Sequence, residues 1–354
     1  MSVTIQDIAR KTGVSTTTVS RVLNGKAKKF RISGNTAERI LGAAEKMHYR
    51  PNILARSLRL KKTKTIGLVI PDISNPFFAC VTKTIQTTAY QAGYSLIVCN
   101  TDEDISTEIE QIELLRSKAV DGFIIMPVGV RYDHIRKLQD DHIHLVMLDR
   151  CFDELDTHSV VVDNHSGAFQ AVTHLIQNGH REITIIQGLL NTYTNNQRVQ
   201  GYRDALIRHG LPVDEKRIVG KDFRSENGYR ETKALLRQPE RPSALFTTSD
   251  LITLGCLQAL QEENLTVPAD ISLVAFDDID FAPFLSAPLT VVSQPREIMG
   301  ETAVRLLVDQ LKNKGGTDEK RIVLKPRLII RNSVQDIRPA SEKTAGLPRP
   351  GMPS

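Results

Sequence analysis

Two rhythms of apolar and polar positions divide this chain. Between Thr4 and Asn24 the apolar residues recur three and four apart, Ile5, Ile8 and Ala9 first and Val19, Val22 and Leu23 later, with Gly13-Val14-Ser15 between them. That spacing predicts two short amphipathic helices joined by a turn. Thr4 and Asp7 stand at capping-box spacing, so the first helix is expected to start near Ile5. Arg10 and Lys11 suit its C-terminal dipole, Gly13 offers a left-handed turn residue, Val14 plugs the corner, and Ser15 caps a second helix over about residues 16 to 24. From Thr65 onward the rhythm changes to short apolar runs alternating with amphipathic stretches. Strands are expected at Ile66–Ile70, Ser95–Asn100, Gly122–Met126, Leu145–Leu148, Ser159–Val162, Ile183–Gln187, Leu245–Thr247, Ile271–Phe276 and Thr290–Ser293. Helices fill the gaps, among them Phe77–Gln91, Ser106–Ser117, Gly167–Gln177 and Tyr229–Leu236. Continuous Val, Ile and Leu strands imply an α/β fold with parallel sheets buried on both faces, two of which enclose a cleft.

The second predicted helix leaves Thr16, Thr17, Ser20 and Arg21 pointing outward. Small hydroxyls followed by an arginine one turn later suit base edges in a major groove, although an ordinary surface hairpin has the same apolar pattern. Charge separates the two readings. Through Lys64 there are fifteen Lys and Arg against three Asp and Glu, so the overall +5 conceals a cationic front and an acidic remainder. This is the electrostatic footprint of a phosphate-binding head. The run Tyr49-Arg50-Pro51-Asn52-Ile53-Leu54-Ala55-Arg56-Ser57-Leu58-Arg59-Leu60 then places proline at the start of a helix of about nine residues, marginal in isolation and suited to folding when docked on DNA. Leu58 is either a minor-groove wedge or a plain hydrophobic linker contact.

The hairpin, the Tyr49–Pro51 segment and the Ala-Arg-Ser-Leu run resemble the LacI/GalR family of bacterial transcription regulators, over about residues 3 to 334. The resemblance implies an all-α head at 1–50, a hinge helix and linker at 51–64, and a two-lobed, periplasmic-binding-protein-like domain at 65–334. The lobe nearer DNA would take about 65–164 and 293–324, and the distal lobe about 165–292 and 325–334. By position it makes Thr16, Thr17 and Arg21 the base readers and Leu58 the hinge leucine, with Asn52, Ala55 and Arg59 beside it as DNA contacts. Phosphate contacts fall at Thr4, Ser15, Ser20 and Asn24. One departure is the connection from Asn24 to Thr36, a few residues longer than usual.

Composition bounds the remaining possibilities. A chain of 354 residues accommodates a small head and a two-lobed core. Its longest apolar runs are too short to span a membrane and its N-terminus is a capped polar helix, so a cytoplasmic protein is expected. Cys80, Cys99, Cys151 and Cys256 are isolated and read as reduced packing residues. His142 and His144 alternate in a candidate strand, but no third metal ligand lies at usable spacing; neither metal nor cofactor is expected. Gly179-His180-Arg181 reads as a helix end. Glycine-rich nucleotide loops and the Gly-x-Ser-x-Gly elbow are absent, which disfavours an enzyme. The Pro- and Gly-rich segment from Gln335 is expected to be a disordered tail.

Polar residues cluster where open parallel sheets bind ligands, beyond the carboxyl ends of strands. Asn75 and Phe77 follow the first predicted strand, and Asp149 and Arg150 the fourth. A polar loop from Asn191 to Arg198 includes Thr194, and Phe223, Asp250 and Asp277 follow further on. Carboxylates, guanidinium donors and an aromatic platform suit a sugar. Blander readings remain beside this one: Phe78 as core, Asp72 and Asp250 as helix caps, Arg150 as half of a structural ion pair. The purine-binding branch of the resembled family carries an arginine where Thr192 stands here, which argues against a purine. The expectation is a homodimeric, sugar-controlled repressor of carbohydrate-utilisation genes on a pseudo-palindromic operator, with pairing of dimers left open. The alternatives are a regulator answering another metabolite, a sugar-binding protein with a merely solubilising basic arm, or an enzyme on a cleft-bound sugar.

Overall fold

The computed structural model describes residues 3–49, 62–312 and 320–339. It divides into two compact units, Met1–Thr63 and Lys64–Ser354. The hinge residues Asn52, Ala55, Leu58 and Arg59 lie outside the described residues.

In the first unit, α1 (Ile5–Thr12) begins with the reciprocal capping box: the Asp7 N–H donates to Thr4 Oγ1 at 3.3 Å and the Thr4 N–H to Asp7 Oδ2 at 3.0 Å. Gly13 takes φ 64° and Ser15 caps α2 (Thr16–Leu23), accepting from the Thr18 N–H at 3.1 Å. A third helix, α3 (Gly34–Lys46), was not anticipated, although Ser33 caps it and Ile40 and Ala44 repeat at helical spacing. The three helices bury Ile8, Ala9, Val19, Val22, Ile40 and Ala44 in one small core. Each large aliphatic member contributes about 1.5–3 kcal/mol on burial.

The second unit holds two six-stranded sheets. The first lobe contains β1 (Thr65–Ile70), β2 (Ser95–Asn100), β3 (Gly122–Ile125), β4 (Leu145–Leu148), β5 (His158–Val162) and, returning late in the chain, β11 (Arg321–Leu324). Their order is β11-β5-β4-β3-β1-β2, with every pairing parallel. The second lobe contains β6 (Ile183–Ile186), β7 (Ile218–Val219), β8 (Ala244–Thr247), β9 (Ser272–Phe276), β10 (Thr290–Ser293) and β12 (Arg327–Ile329), ordered β12-β10-β9-β8-β6-β7. There β12 pairs antiparallel with β10. Helices α4 (Pro76–Gln91), α5 (Ile105–Ser117), α6 (Asp133–Asp140) and α11 (Arg296–Leu311) cover the first sheet, and α7 (Asn164–Gln177), α8 (Tyr193–Arg208), α9 (Ser225–Leu236) and α10 (Asp250–Glu262) the second. The chain passes between lobes three times, after β5, β10 and β11. At the first and third passages the Asp163 N–H donates to the Leu324 carbonyl at 2.8 Å and Lys325 pairs with the Asp163 carboxylate. Each sheet order reverses beside its first strand, which opens a ligand crevice at the strand ends.

Three expectations are corrected. Asn191–Arg198 is not a loop: α8 starts at Tyr193, and its first turns bury Thr194, Asn195 and Arg198. His142 lies in a turn with φ 55° and His144 precedes β4, so the two do not alternate along a strand. Residues 335–339 are not a disordered tail. The Gln335 N–H donates to Ser272 Oγ at 2.9 Å, the Ile337 N–H to the Asn178 carbonyl at 2.9 Å, and His180 Nε2 lies 3.1 Å from the Gln335 carbonyl. Residues 340–354 lie outside the described residues.

Candidate effector cleft and DNA-reading head

The ends of β1, β2, β4, β6, β8, β9 and β10 converge on a cleft of about 450 Å³ between the two lobes. Of the sequence candidates, Asn75, Phe77, Asp149, Arg150, Thr194, Arg198, Phe223 and Asp277 line it; Asp250 sits between the lining residues Ser249 and Leu251. Asn75 caps α4, accepting from the Phe77 N–H at 2.8 Å, while its Nδ2 donates across the cleft to Asp250 Oδ1 at 2.9 Å. Both ends of that amide are therefore engaged, and the residue ties one lobe to the other. Phe77 is packed edge-on against Phe78 with centroids 5.1 Å apart, and Phe78 belongs to the first-lobe core. From the second lobe, Phe223 reaches within 5.2 Å of the Arg150 guanidinium. Its ring lies so close over Gly188 that a Cβ there would meet Phe223 at 2.0 Å.

Two arginines anchor the site differently. Arg150 makes a two-pronged pair with Glu103, at 2.6 and 2.8 Å, a partner the sequence reading missed within the acidic run Asp102-Glu103-Asp104. Arg198 stacks 3.7 Å over Phe276 and donates to the Thr248 carbonyl at 2.6 Å and to Asn164 Oδ1 at 2.8 Å. Gln294, also missed, donates to Asp277 Oδ1 at 2.5 Å; a lone glutamine after a strand carries no distinguishing signal. Asp149 and Asp277 occupy the left-handed region, φ 66° and 81°, each directly after a strand. Aspartate is one of the few side chains that tolerates this region, and such residues collect at binding sites.

The carboxyls are poised. Burial pushes Asp149 up to about 6 against the pull of Arg150 and Arg198, and burial together with the charge of Asp277 pushes Asp250 up to about 7. Asp277 is raised by burial as well. Asp149 Oδ1, Asp250 Oδ2, Arg150 Nε and Gln294 Oε1 are buried without a hydrogen-bond partner. Such groups cost free energy when left unpaired, and a hydroxyl-rich ligand supplies both donors and acceptors. Among the described residues no His, Cys, Asp or Glu group is arranged to hold a metal ion, and no helix is long and apolar enough to cross a membrane.

In the head, Thr16 and Thr17 are exposed at the start of α2, and Ser20 and Arg21 are half-buried one turn on. Thr4 and Ser15 spend their hydroxyls on caps, and Asn24 donates to the Ser20 carbonyl at 2.6 Å while ending α2. The guanidinium of Arg21 lies 3.9 Å over the ring of Phe30.

Comparison with known proteins accounts for both units. Residues 4–52 match the bacterial regulatory proteins of the lacI family, and residues 63–332 match the periplasmic binding proteins and sugar binding domain of the LacI family. A relative named HTH-type transcriptional repressor PurR from Proteus mirabilis is 37% identical, covering 94% of this chain and 97% of its own. The structure of the transcriptional regulator CelR in complex with cellobiose is 30% identical with a TM-score of 0.70, covering 94% of this chain and 99% of that one. A LacI family regulator from Enterococcus faecium with bound ribose is 28% identical with a TM-score of 0.70, covering 77% of this chain and 100% of that one. The chain belongs to the LacI family of bacterial DNA-binding transcriptional regulators.

Proposed function

We propose that the protein is a homodimeric repressor whose grip on an operator is set by an uncharged sugar held between the two lobes. The observation that carries the ligand class is the charge of the cleft. Asp72, Asp102, Glu103, Asp149, Glu226 and Asp277 line it, with Asp250 beside them, against Arg150, Arg198 and Arg224, and Arg150 is already neutralised by Glu103. Such a site repels phosphorylated or acidic sugars, while its buried carboxyls accept hydrogen bonds from ligand hydroxyls. Ligands of two structural relatives, cellobiose and ribose, fall in this class. The PurR names of sequence relatives favour a different effector, and Thr192, whose hydroxyl is spent within its own loop by donating to the Leu189 carbonyl at 2.7 Å, stands where the purine-binding branch carries an arginine.

The assembly follows from operator recognition and from exposed apolar surface. One head reads too few base pairs for genomic specificity, whereas two heads related by a twofold axis read a pseudo-palindrome. The edge strand β2 exposes Ile97 and Val98, Tyr90 on α4 is 81% exposed, and Phe284 after β9 is 85% exposed. A second copy of the chain covers such surface. Ligand closes the lobes, the paired first lobes shift, and the geometry of the two hinge segments changes with them. A thermal-shift panel tests the ligand class, because a ligand that binds only the folded state raises its melting temperature. Free aldoses and small oligosaccharides are expected to stabilise the protein; stabilisation by a purine base or a sugar phosphate, with none by neutral sugars, overturns this assignment.

A further inference from the structure

The connection between α2 and α3 folds against the recognition helix, and no role yet described uses it. It is a built turn. The Lys26 N–H donates to the Arg21 carbonyl at 2.9 Å, Lys28–Phe30 form a single 3-10 turn, Arg31 takes the left-handed conformation at φ 51°, and the Ile32 N–H closes onto the Ala27 carbonyl at 3.0 Å. Ala27 and Ile32 pack on the core of the head, which leaves Phe30 outside that core and 41% exposed, its ring under Arg21. Lys26, Lys28, Lys29 and Arg31 surround it with no acidic residue between Lys26 and Arg31.

A large aromatic ring held at the surface by a closed turn is costly unless it has a partner, and here the partner is the arginine at the outward face of α2. Stacking engages only the flat face of a guanidinium and leaves its N–H edge free. Among the described residues, that edge donates no hydrogen bond and meets no carboxylate. A guanine presents two acceptors in the major groove in a geometry that matches this free edge. An arginine on a flexible stem must be ordered before it can make such a contact, and a ring at 3.9 Å orders it beforehand.

We propose that Phe30 is a positioning residue for base recognition, a platform that holds the Arg21 guanidinium edge-on to the major groove and so sharpens sequence choice. This rests on the reading of Arg21 as a base contact, and the two are separable by experiment. A preferred site is first selected from a random oligonucleotide pool with the full-length protein, and affinities are then measured for that site, for its single-base variants and for unrelated duplex DNA. Arg21→Ala is expected to relax discrimination at one position of each half-site by about tenfold or more. Phe30→Ala is expected to relax the same position by about two- to fivefold, with Phe30→Tyr restoring it and affinity for unrelated DNA unchanged. Thermal melting shows that the variants are folded, and Phe30→Leu provides a second test that retains apolar bulk without the ring. If Arg21→Ala relaxes one position but Phe30→Ala and Phe30→Leu leave every preference intact, the platform is overturned while the arginine contact stands. If Arg21→Ala weakens all sequences equally, Arg21 is a phosphate contact and both ideas fall.

Discussion

At the scale of single residues, the cleft stores protons. Asp149 and Asp250 titrate near 6 and 7 in the folded protein, above their ordinary 3.8, because burial disfavours their charged forms. The ligand-free fold therefore binds protons that the unfolded chain has released, and its stability falls as pH rises from about 4 to about 7 and levels off above. A sugar hydroxyl that donates to either carboxylate favours the charged form, so ligand binding should release protons below pH 7, and affinity should rise with pH across that range. Calorimetry in buffers of different ionisation heat measures this directly, and proton uptake in place of release would contradict the assignment. Strand-end positions of the two aspartates were legible in the sequence because Asp149 and Asp277 directly follow Val- and Leu-rich runs. Their left-handed backbone was not, and neither was the pairing of Glu103 with Arg150, since contacts between separate loops leave no periodic trace.

Among the elements, continuous apolar strands declared themselves, whereas those with mixed burial did not. Arg321–Leu324 and Arg327–Ile329 are half-buried edge strands that start with arginine, and Ile218–Val219 spans only two residues, so none stood out from its surroundings. Helix α8 was misread because the cleft buries polar side chains at its start, which erases the usual apolar stripe. Glycines give the helix layer a sharper test. Gly255 lets α10 approach α9 so closely that a Cβ would lie 1.8 Å from the Ser225 carbonyl oxygen, and a Cβ at the reciprocal Gly228 would lie 2.1 Å from that of Ile252. Asp250 opens α10 and Phe223 precedes α9, so this approach also sets the width of the site. Gly255→Ala should cost about 1–3 kcal/mol in denaturant unfolding of the second unit. Gly42→Ala, in α3 with open space around it, should add about 0.5–1 kcal/mol to the head. Equal effects from the two substitutions would remove the packing argument.

For the whole molecule, the proposed control of the cationic front by the acidic cleft amounts to a free energy of coupling. If an effector changes operator affinity by some factor, the operator must change effector affinity by the same factor, typically about 5- to 150-fold. Titrating sugar against free protein and against protein saturated with its selected site, and that site against free and sugar-saturated protein, should give the same factor. A sugar affinity that saturating operator leaves unchanged would exclude the proposed coupling. Deleting residues 1–63 should leave sugar affinity at its DNA-free value and abolish any response to operator DNA, because the cleft residues all lie in the second unit.

The end of the described chain has a use of its own. Gln335 and Ile337 are stitched to Ser272 and Asn178, so residues 335–339 travel with the second lobe even though β11, shortly before them, belongs to the first. A fluorophore at Pro339 therefore rides on one jaw of the clamp, and one at the exposed Lys118 rides on the other. Energy transfer between the two dyes becomes a real-time gauge of jaw angle that needs no DNA in the cuvette.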